Sequence, residues 1–226
     1  LSSALYCQTS YGTHVGVTGR VGNYLIDEYL QGPKGLDLDD FYDEFWNYNK
    51  YEGRIASLPF NNSTPVLFYN KDILRQAGLE PKAPETWDEL VEMATHLRDW
   101  AAKEKVRNFT PINMRNEDWM LKGFILQNGG ELMKADYSGS LINEPAAVEA
   151  IAFWVSLIDQ GLMPAGVHDR ARDQFIAGNQ AFLFDSTAGI GSISKTVEFD
   201  MATAMLPGNK RRAVTLGGAG LTMFPS

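Results

Sequence analysis

The sequence has little of several things that would betray an enzyme or a metal protein. Cys7 is the only cysteine among 226 residues, so no internal disulfide and no C-x-x-C zinc or redox site can form. The expectation for that thiol is a small buried apolar group. His14, His96 and His168 are the only histidines, far apart, and none falls in H-E-x-x-H or another ligand spacing. No G-x-G-x-x-G or Walker pattern emerges from Gly12, Gly16, Gly19 and Gly22. Gly189-Ile190-Gly191-Ser192 is not G-x-S-x-G, so no hydrolase elbow is signalled. No apolar run approaches the roughly 20 residues that span a bilayer, and Leu1 to Leu5 holds no basic-then-apolar signal peptide. Positive charge is short as well: 20 basic against 28 acidic side chains leave a net charge of −8. Such a global field repels a phosphate polyanion, which excludes nucleic acid as a partner, although a local pocket for a small anion is compatible with it.

What is present is an ordinary globular composition, 44% hydrophobic, 12% aromatic and 21% charged. Short β-rich runs alternate with amphipathic helical patterns, which points to an α/β architecture. Arg54 to Phe60 and Val66 to Asn70 read as strands separated by Thr64-Pro65, because proline lacks the donor that pairing needs. A helix over Asp72 to Ala77 is predicted to stop at Gly78. Thr86 and Glu89 form a T-x-x-E capping box. The helix behind it runs to about Lys105 and carries Trp87, Leu90, Val91, Ala94, Leu97, Trp100 and Ala101 on one stripe. Strands are predicted at Phe109 to Met114, Ala181 to Asp185, Asp200 to Ala204 and Val214 to Met223. Helices are predicted at Asp118 to Asn128, from Asn143 and Pro145 onward, at Asp169 to Ala177 and at Thr187 to Thr196. On the helix after Pro145 the core-facing residues are expected to be Val148, Ile151, Ala152, Val155 and Ile158. The first 50 residues read as loop, one helix and a turn.

Candidate chemistry is sparse. The acidic pairs Asp39-Asp40 and Glu117-Asp118 could serve as glycosidase carboxylates, but they read more simply as solvated loop and helix-start acids. Trp87 and Trp154 read as packing, while Trp46 is open between a core and a site role. The informative segment is P-F-N-N-S-T-P-V-L-F-Y-N-K, from Pro59 to Lys71. Four small polar residues between two β runs can present hydroxyls and backbone N–H groups to a ligand's oxygens. On the residues alone, a tight polar turn explains them equally well.

That segment continues as D-I-L-R-Q-A-G-L and then P-E-T-W-D-E-L. Trp119, F-I-A-G-N-Q-A-F at Phe175 to Phe182, S-T-A-G at Ser186 to Gly189 and G-G-A-G-L at Gly217 to Leu221 follow in order. The series closely resembles the family 1 extracellular solute-binding proteins of ABC importers, and within them the glycerol-3-phosphate-binding branch. The resemblance covers nearly the whole chain after about Asp39. It departs at Asn62, where serine is usual, and at Met114 to Asp118, where M-R-N-E-D replaces a smaller, aromatic-containing stretch. Arg115 and Glu117 there could contact a ligand or each other.

The resemblance implies an α/β, two-lobed periplasmic-binding-protein fold of type II that closes on a solute, represented here by a chain truncated at both ends. It implies a first lobe at 1–108 with a returning strand at 213–226, and a second lobe at 109–212. It implies ligand contacts at Ser63, Thr64, Trp119, Ser186, Thr187, Gly217 and Gly218, with Trp119 stacking on a sugar face. The implied function is capture of a sugar or glycerol-phosphate-like solute by a monomer that serves ABC permease subunits. No catalytic residue, metal or cofactor is expected. The implied location is periplasmic or extracellular, with a lipid-anchored form compatible with it. The alternatives are a carbohydrate-active hydrolase and a module that binds only other proteins.

Overall fold

In the computed structural model, residues 5–9, 26–30, 35–51, 53–115, 117–136, 138–165 and 170–223 are described. His14, His168 and the four glycines between Gly12 and Gly22 lie outside them, as do the side chains of Cys7 and Glu117. The chain divides into two units, Leu1–Ser63 with Leu216–Ser226, and Thr64–Thr215. The lobe boundary expected near 108 therefore falls inside the larger unit. The physical reason is strand pairing: Pro65–Asn70 (β5) bonds on both edges to strands more than a hundred residues further on.

The smaller unit is built on an antiparallel sheet of Leu5–Thr9 (β1), Gly217–Met223 (β9) and Leu58–Ser63 (β4), in the order β1-β9-β4. β1 lies within the first 50 residues, for which the sequence suggested loop, one helix and a turn but no strand. The run expected as one strand from Arg54 to Phe60 is broken at Ala56-Ser57. Arg54–Ile55 (β3) pairs with Lys50–Tyr51 (β2) before β4 begins. Helices Asp27–Leu30 (α1) and Asp43–Tyr48 (α2) supply Leu30 and Trp46 to a small core with Ile55 and with Ile26, which precedes α1. Trp46 is a core residue here: it is buried, lies 4.8 Å from the Phe41 ring, and donates Nε1–H to the Leu38 carbonyl at 3.0 Å.

The larger unit is a four-stranded sheet, β6-β7-β5-β8, made of Thr110–Met114 (β6), Gln180–Ser186 (β7), β5 and Met201–Ala204 (β8). β6 and β7 are parallel, and the other pairs are antiparallel. Every residue of β7 is buried, as befits a central strand covered on both faces. Side-chain alternation splits the apolar residues between two cores. Leu67, Ile112, Met114, Phe182 and Phe184 join the main core with helices Trp87–Lys103 (α4), Glu117–Gln127 (α5) and Pro145–Asp159 (α6). Phe68 and Leu183 join the second core with Ala171–Ile176 (α7) and Ile190–Ser194 (α8). Lys71–Gln76 (α3) ends on Gly78 at φ +78, and α7 is followed by Gly178 at φ +74, both as the sequence predicts.

The capping signal at Thr86 holds with a small shift. The Thr86 hydroxyl accepts from Glu89 N–H at 3.1 Å, while the Glu89 carboxylate reaches back to Glu85 N–H at 2.7 Å, one residue earlier than a capping box requires. On α6 the expected face is only partly met, for of its residues Ile158 packs against the main core. Ala147, Ala150 and Leu157 are buried, whereas Val148 and Val155 are 51% and 46% exposed. The helix is apolar on more than one side, so its own periodicity could not choose the packed side. Trp87 and Trp154 do pack: Trp87 stacks on Phe153 at 4.2 Å, and Trp154 meets Phe124 edge-on at 5.6 Å.

At one end of the larger unit's sheet the charges are mutually spent. The Lys71 ammonium and the Arg75 guanidinium both bind Asp200, and hold its carboxyl below the usual carboxylate range. The opposite end, where β6 and β7 finish and β5 starts, is different in kind.

Candidate functional site

In open α/β sheets ligands are bound beyond the carboxyl ends of the strands, because there the helix starts and loop donors converge. β6 and β7 run parallel, so Met114 and Ser186 finish at the same end, and the register Pro65↔Ser186 brings the start of β5 there too. Thr64 and Thr187 extend that ladder. Thr187 N–H donates to the Thr64 carbonyl at 2.9 Å, and Thr64 N–H donates to the Thr187 hydroxyl at 3.1 Å. The Ser186 hydroxyl accepts from Ala188 N–H at 3.2 Å and so caps the short 3-10 turn Thr187–Gly189. Three of the expected ligand residues, Thr64, Ser186 and Thr187, are thus brought together. Among the described residues their hydroxyl protons remain able to donate, since the Ser186 and Thr187 hydroxyls act there only as acceptors.

Beneath them sits a charge that the sequence reading did not single out. Asp185 is fully buried, and its carboxylate receives Arg172 Nε at 2.7 Å, Arg172 Nη2 at 3.0 Å and Ser186 N–H at 2.7 Å. This is a bidentate guanidinium fork, the strongest geometry for such a pair. Arg172 also fills the space over Gly189, where an added Cβ would stand 2.7 Å from Nη2. The signal was available in F-L-F-D-S: one acid ending a wholly apolar strand needs a partner. Arg115 follows β6, donates its backbone N–H to the Phe184 carbonyl at 2.9 Å, and places Nη1 4.0 Å from Asp185 Oδ1.

Trp119 is at the same end of the sheet by chain order, in the first turns of α5, but its ring does not present the open stacking face that the resemblance implied. It is 6% exposed and belongs to the main core, and its Nε1 is buried with no partner among the described residues. The segment leading to β9 runs back along α5. Arg211 donates to the Leu126 and Gly130 carbonyls, Gln127 to the Ala213 carbonyl, and the Thr215 hydroxyl to the Trp119 carbonyl. The helix carrying Trp119 is therefore anchored from its last turn to its first.

The remaining expected residues belong to the smaller unit. The N-N-S-T segment is not a tight turn there. β4 continues to Ser63 through a bulge between Phe60 and Ser63, with Asn61 at φ +56, and Ser63 pairs with Gly217. Gly218, at φ +118, lies so close to this bulge that a Cβ would collide with the Asn61 carbonyl oxygen and stand 2.7 Å from Asn62 Cα. Packing explains this glycine without a ligand. Gly218→Ala is expected to lower the stability of the smaller unit by at least about 1–3 kcal/mol, the cost of one strained backbone position. A urea curve superimposable on the parent's would show that the bulge opens freely.

As for rival chemistry, Asp39 and Asp40 are exposed in the first turn of a 3-10 helix, and Asp118 pairs with Lys122 at 3.7 Å. Among the described residues no group of three or more histidine, cysteine or acidic side chains is placed to hold a metal ion. No helix among them is long and apolar enough to cross a membrane.

Comparison with known proteins gives the site its context. Residues 16–226 match the model of a family described as bacterial extracellular solute-binding protein. The sn-glycerol-3-phosphate-binding periplasmic protein UgpB of Salmonella paratyphi A is 29% identical over 189 residues, covering 75% of this chain and 40% of that protein. Its counterpart in Escherichia coli K12 is 28% identical over 169 residues, covering 69% and 36%. The crystal structure of UgpB from Mycobacterium tuberculosis in complex with glycerophosphocholine superposes with a TM-score of 0.81 at 26% identity, over 97% of this chain and 56% of that one. A Listeria monocytogenes ABC substrate-binding protein in complex with cycloalternan gives 0.82 at 21% identity, over 98% and 57%. The fold is thus that of the type II periplasmic binding proteins, as the resemblance implied. The chain spans 36–40% of the length of these curated relatives.

Proposed function

The chain belongs to the bacterial extracellular solute-binding proteins, and on that premise we propose that it captures a small polar solute, a sugar or glycerol-phosphate-like molecule, and delivers it to the permease subunits of an ABC importer. Capture takes place in the periplasm or outside the cell, and the solute leaves chemically unchanged. The observation that carries this reading is the cluster of Thr64, Ser186 and Thr187 at the carboxyl end of the larger unit's sheet. Their hydroxyls, with the N–H groups of the turn they open, are donors and acceptors suited to hydroxylated or phosphorylated ligands. Among the described residues there, none forms a nucleophile held by a base or a pair of converging carboxylates, which is what the hydrolase reading needs. The names of the curated relatives support the choice of solute class.

A ligand that binds only the folded state raises stability by RT ln(1 + [L]/Kd), about 2.7 kcal/mol at a hundredfold excess over Kd. Thermal melts with glycerol-3-phosphate, glycerophosphocholine, maltose and glycerol are therefore expected to show a saturable shift for at least one solute, recovered intact by chromatography. Recovery of a cleaved product would establish the hydrolase instead. A flat response to every member of the panel would remove the solute-binding reading.

A further inference from the structure

We infer that Arg115 is a specificity-determining residue whose guanidinium takes the phosphate of the solute, so that the protein prefers a phosphorylated polyol to a neutral sugar. This rests on the solute-binding reading above. Two guanidinium groups, Arg172 and Arg115, face one buried carboxylate at Asp185. Arg172 occupies both oxygens of that carboxylate, and Ser186 N–H adds a third bond. Arg115 Nη1, at 4.0 Å, is beyond hydrogen-bond distance. The buried pair is neutral by itself, so among the described residues the Arg115 charge is left over, at a point in a chain whose net charge is −8.

The side chain is also placed for the task. Its backbone is pinned to Phe184, two residues before Ser186 on β7, a separation of about 7 Å along a strand. The Arg115 side chain is 44% exposed, and its Nη1 stands 4.0 Å from the same Asp185 oxygen that accepts from Ser186 N–H. A planar group with several unspent N–H donors matches phosphate oxygens two at a time, which an ammonium or a hydroxyl cannot do. Asp118, the nearest acid in sequence with a described side chain, is engaged by Lys122 at 3.7 Å. The buried Asp185–Arg172 pair gives the turn a fixed position, so solute oxygens and Arg115 can be met together without reordering the site.

The experiment is calorimetric titration of the protein and its Arg115→Gln, Arg115→Lys and Glu117→Gln variants with glycerol-3-phosphate, glycerophosphocholine and maltose. Inorganic phosphate serves as a competitor. Arg115→Gln is expected to weaken both phosphorylated solutes about ten- to a hundredfold, the worth of one charged hydrogen-bonded contact. It should abolish competition by inorganic phosphate and leave any maltose affinity unchanged, with Arg115→Lys intermediate. Three results would overturn the assignment while leaving solute binding in place. One is equal affinity of Arg115→Gln for the phosphorylated solutes. Another is a parent protein that binds maltose alone. The third is a matched loss of melting temperature in Arg115→Gln and Glu117→Gln with affinities intact, which would make the charge a structural partner of Glu117. A parent protein that binds no solute removes the underlying reading and the Arg115 assignment with it.

Discussion

Arg172→Ala is expected to destabilise the larger unit by about 3–5 kcal/mol, the usual cost of stranding a buried charge. Asp185 has no exposed surface and takes two of its three hydrogen bonds from Arg172. With Arg172 gone, the carboxylate keeps only Ser186 N–H and an Arg115 nitrogen 4.0 Å away. Desolvation, rather than lost attraction, is the larger effect, because an ion of this size is strongly disfavoured away from water. The double replacement Arg172→Met with Asp185→Leu should recover most of the loss, since apolar side chains of similar volume can replace a buried pair at little net cost. Solute binding should not recover in step. The Ser186–Gly189 turn takes its position from the Asp185 bond to Ser186 N–H and from Arg172 lying over Gly189. Urea denaturation of the three proteins gives the stabilities. A single mutant within about 1 kcal/mol of the parent would mean that Asp185 is hydrated in solution and not held by Arg172.

Trp119→Ala is expected to lose about 3–5 kcal/mol, as a core tryptophan does, rather than to spare stability as an open stacking platform would. The ring is 6% exposed within the main core, which also holds Met120, Phe124 and Phe184. A finer comparison separates packing from polarity. Trp119 Nε1 has no partner among the described residues, while Trp87 Nε1 donates to Gln127 Oε1 at 2.9 Å. Replacement of either residue by phenylalanine removes the same atoms. Trp87→Phe also strands the Gln127 oxygen, and Gln127 is 1% exposed. It should therefore be the more costly change by about 1–3 kcal/mol. Equal losses would show that Trp119 Nε1 is hydrogen-bonded in solution. Intact stability in Trp119→Ala together with abolished solute binding would restore the stacking role.

Several features of the larger unit were legible because they are local. Thr86 announces α4, Gly78 and Gly178 close α3 and α7, and the stripe Trp87, Leu90, Ala94, Leu97 and Ala101 is buried as its spacing requires. These depend on a few neighbouring backbone groups and on a 3.6-residue period, both written in consecutive residues. The ordered series from N-N-S-T-P to G-G-A-G-L pointed to the family for the same reason. It also named Thr64, Ser186 and Thr187 as candidates, which the β5–β7 register places at one end of the sheet, where Thr64 and Thr187 hydrogen-bond to each other.

Other features were settled only by pairing at long range. Which side of α6 is buried was decided by what packs on it, since Val148 and Val155 make as good an apolar stripe as Ala147, Ala150 and Leu157. The division at Ser63 and Thr64 follows from β5 joining β7 and β8, partners more than a hundred residues away that no local signal names. Asp185 could be suspected from an acid in an apolar strand, but its partner could not be named, because Arg172 reaches it from a different element. The residue types and caps of this protein thus determine most of the larger unit's helices and strands and point to its family. The burial of Trp119, the pairing of Asp185 and the approach of Arg115 to that pair are set by tertiary structure, because each depends on which distant side chain fills the neighbouring space.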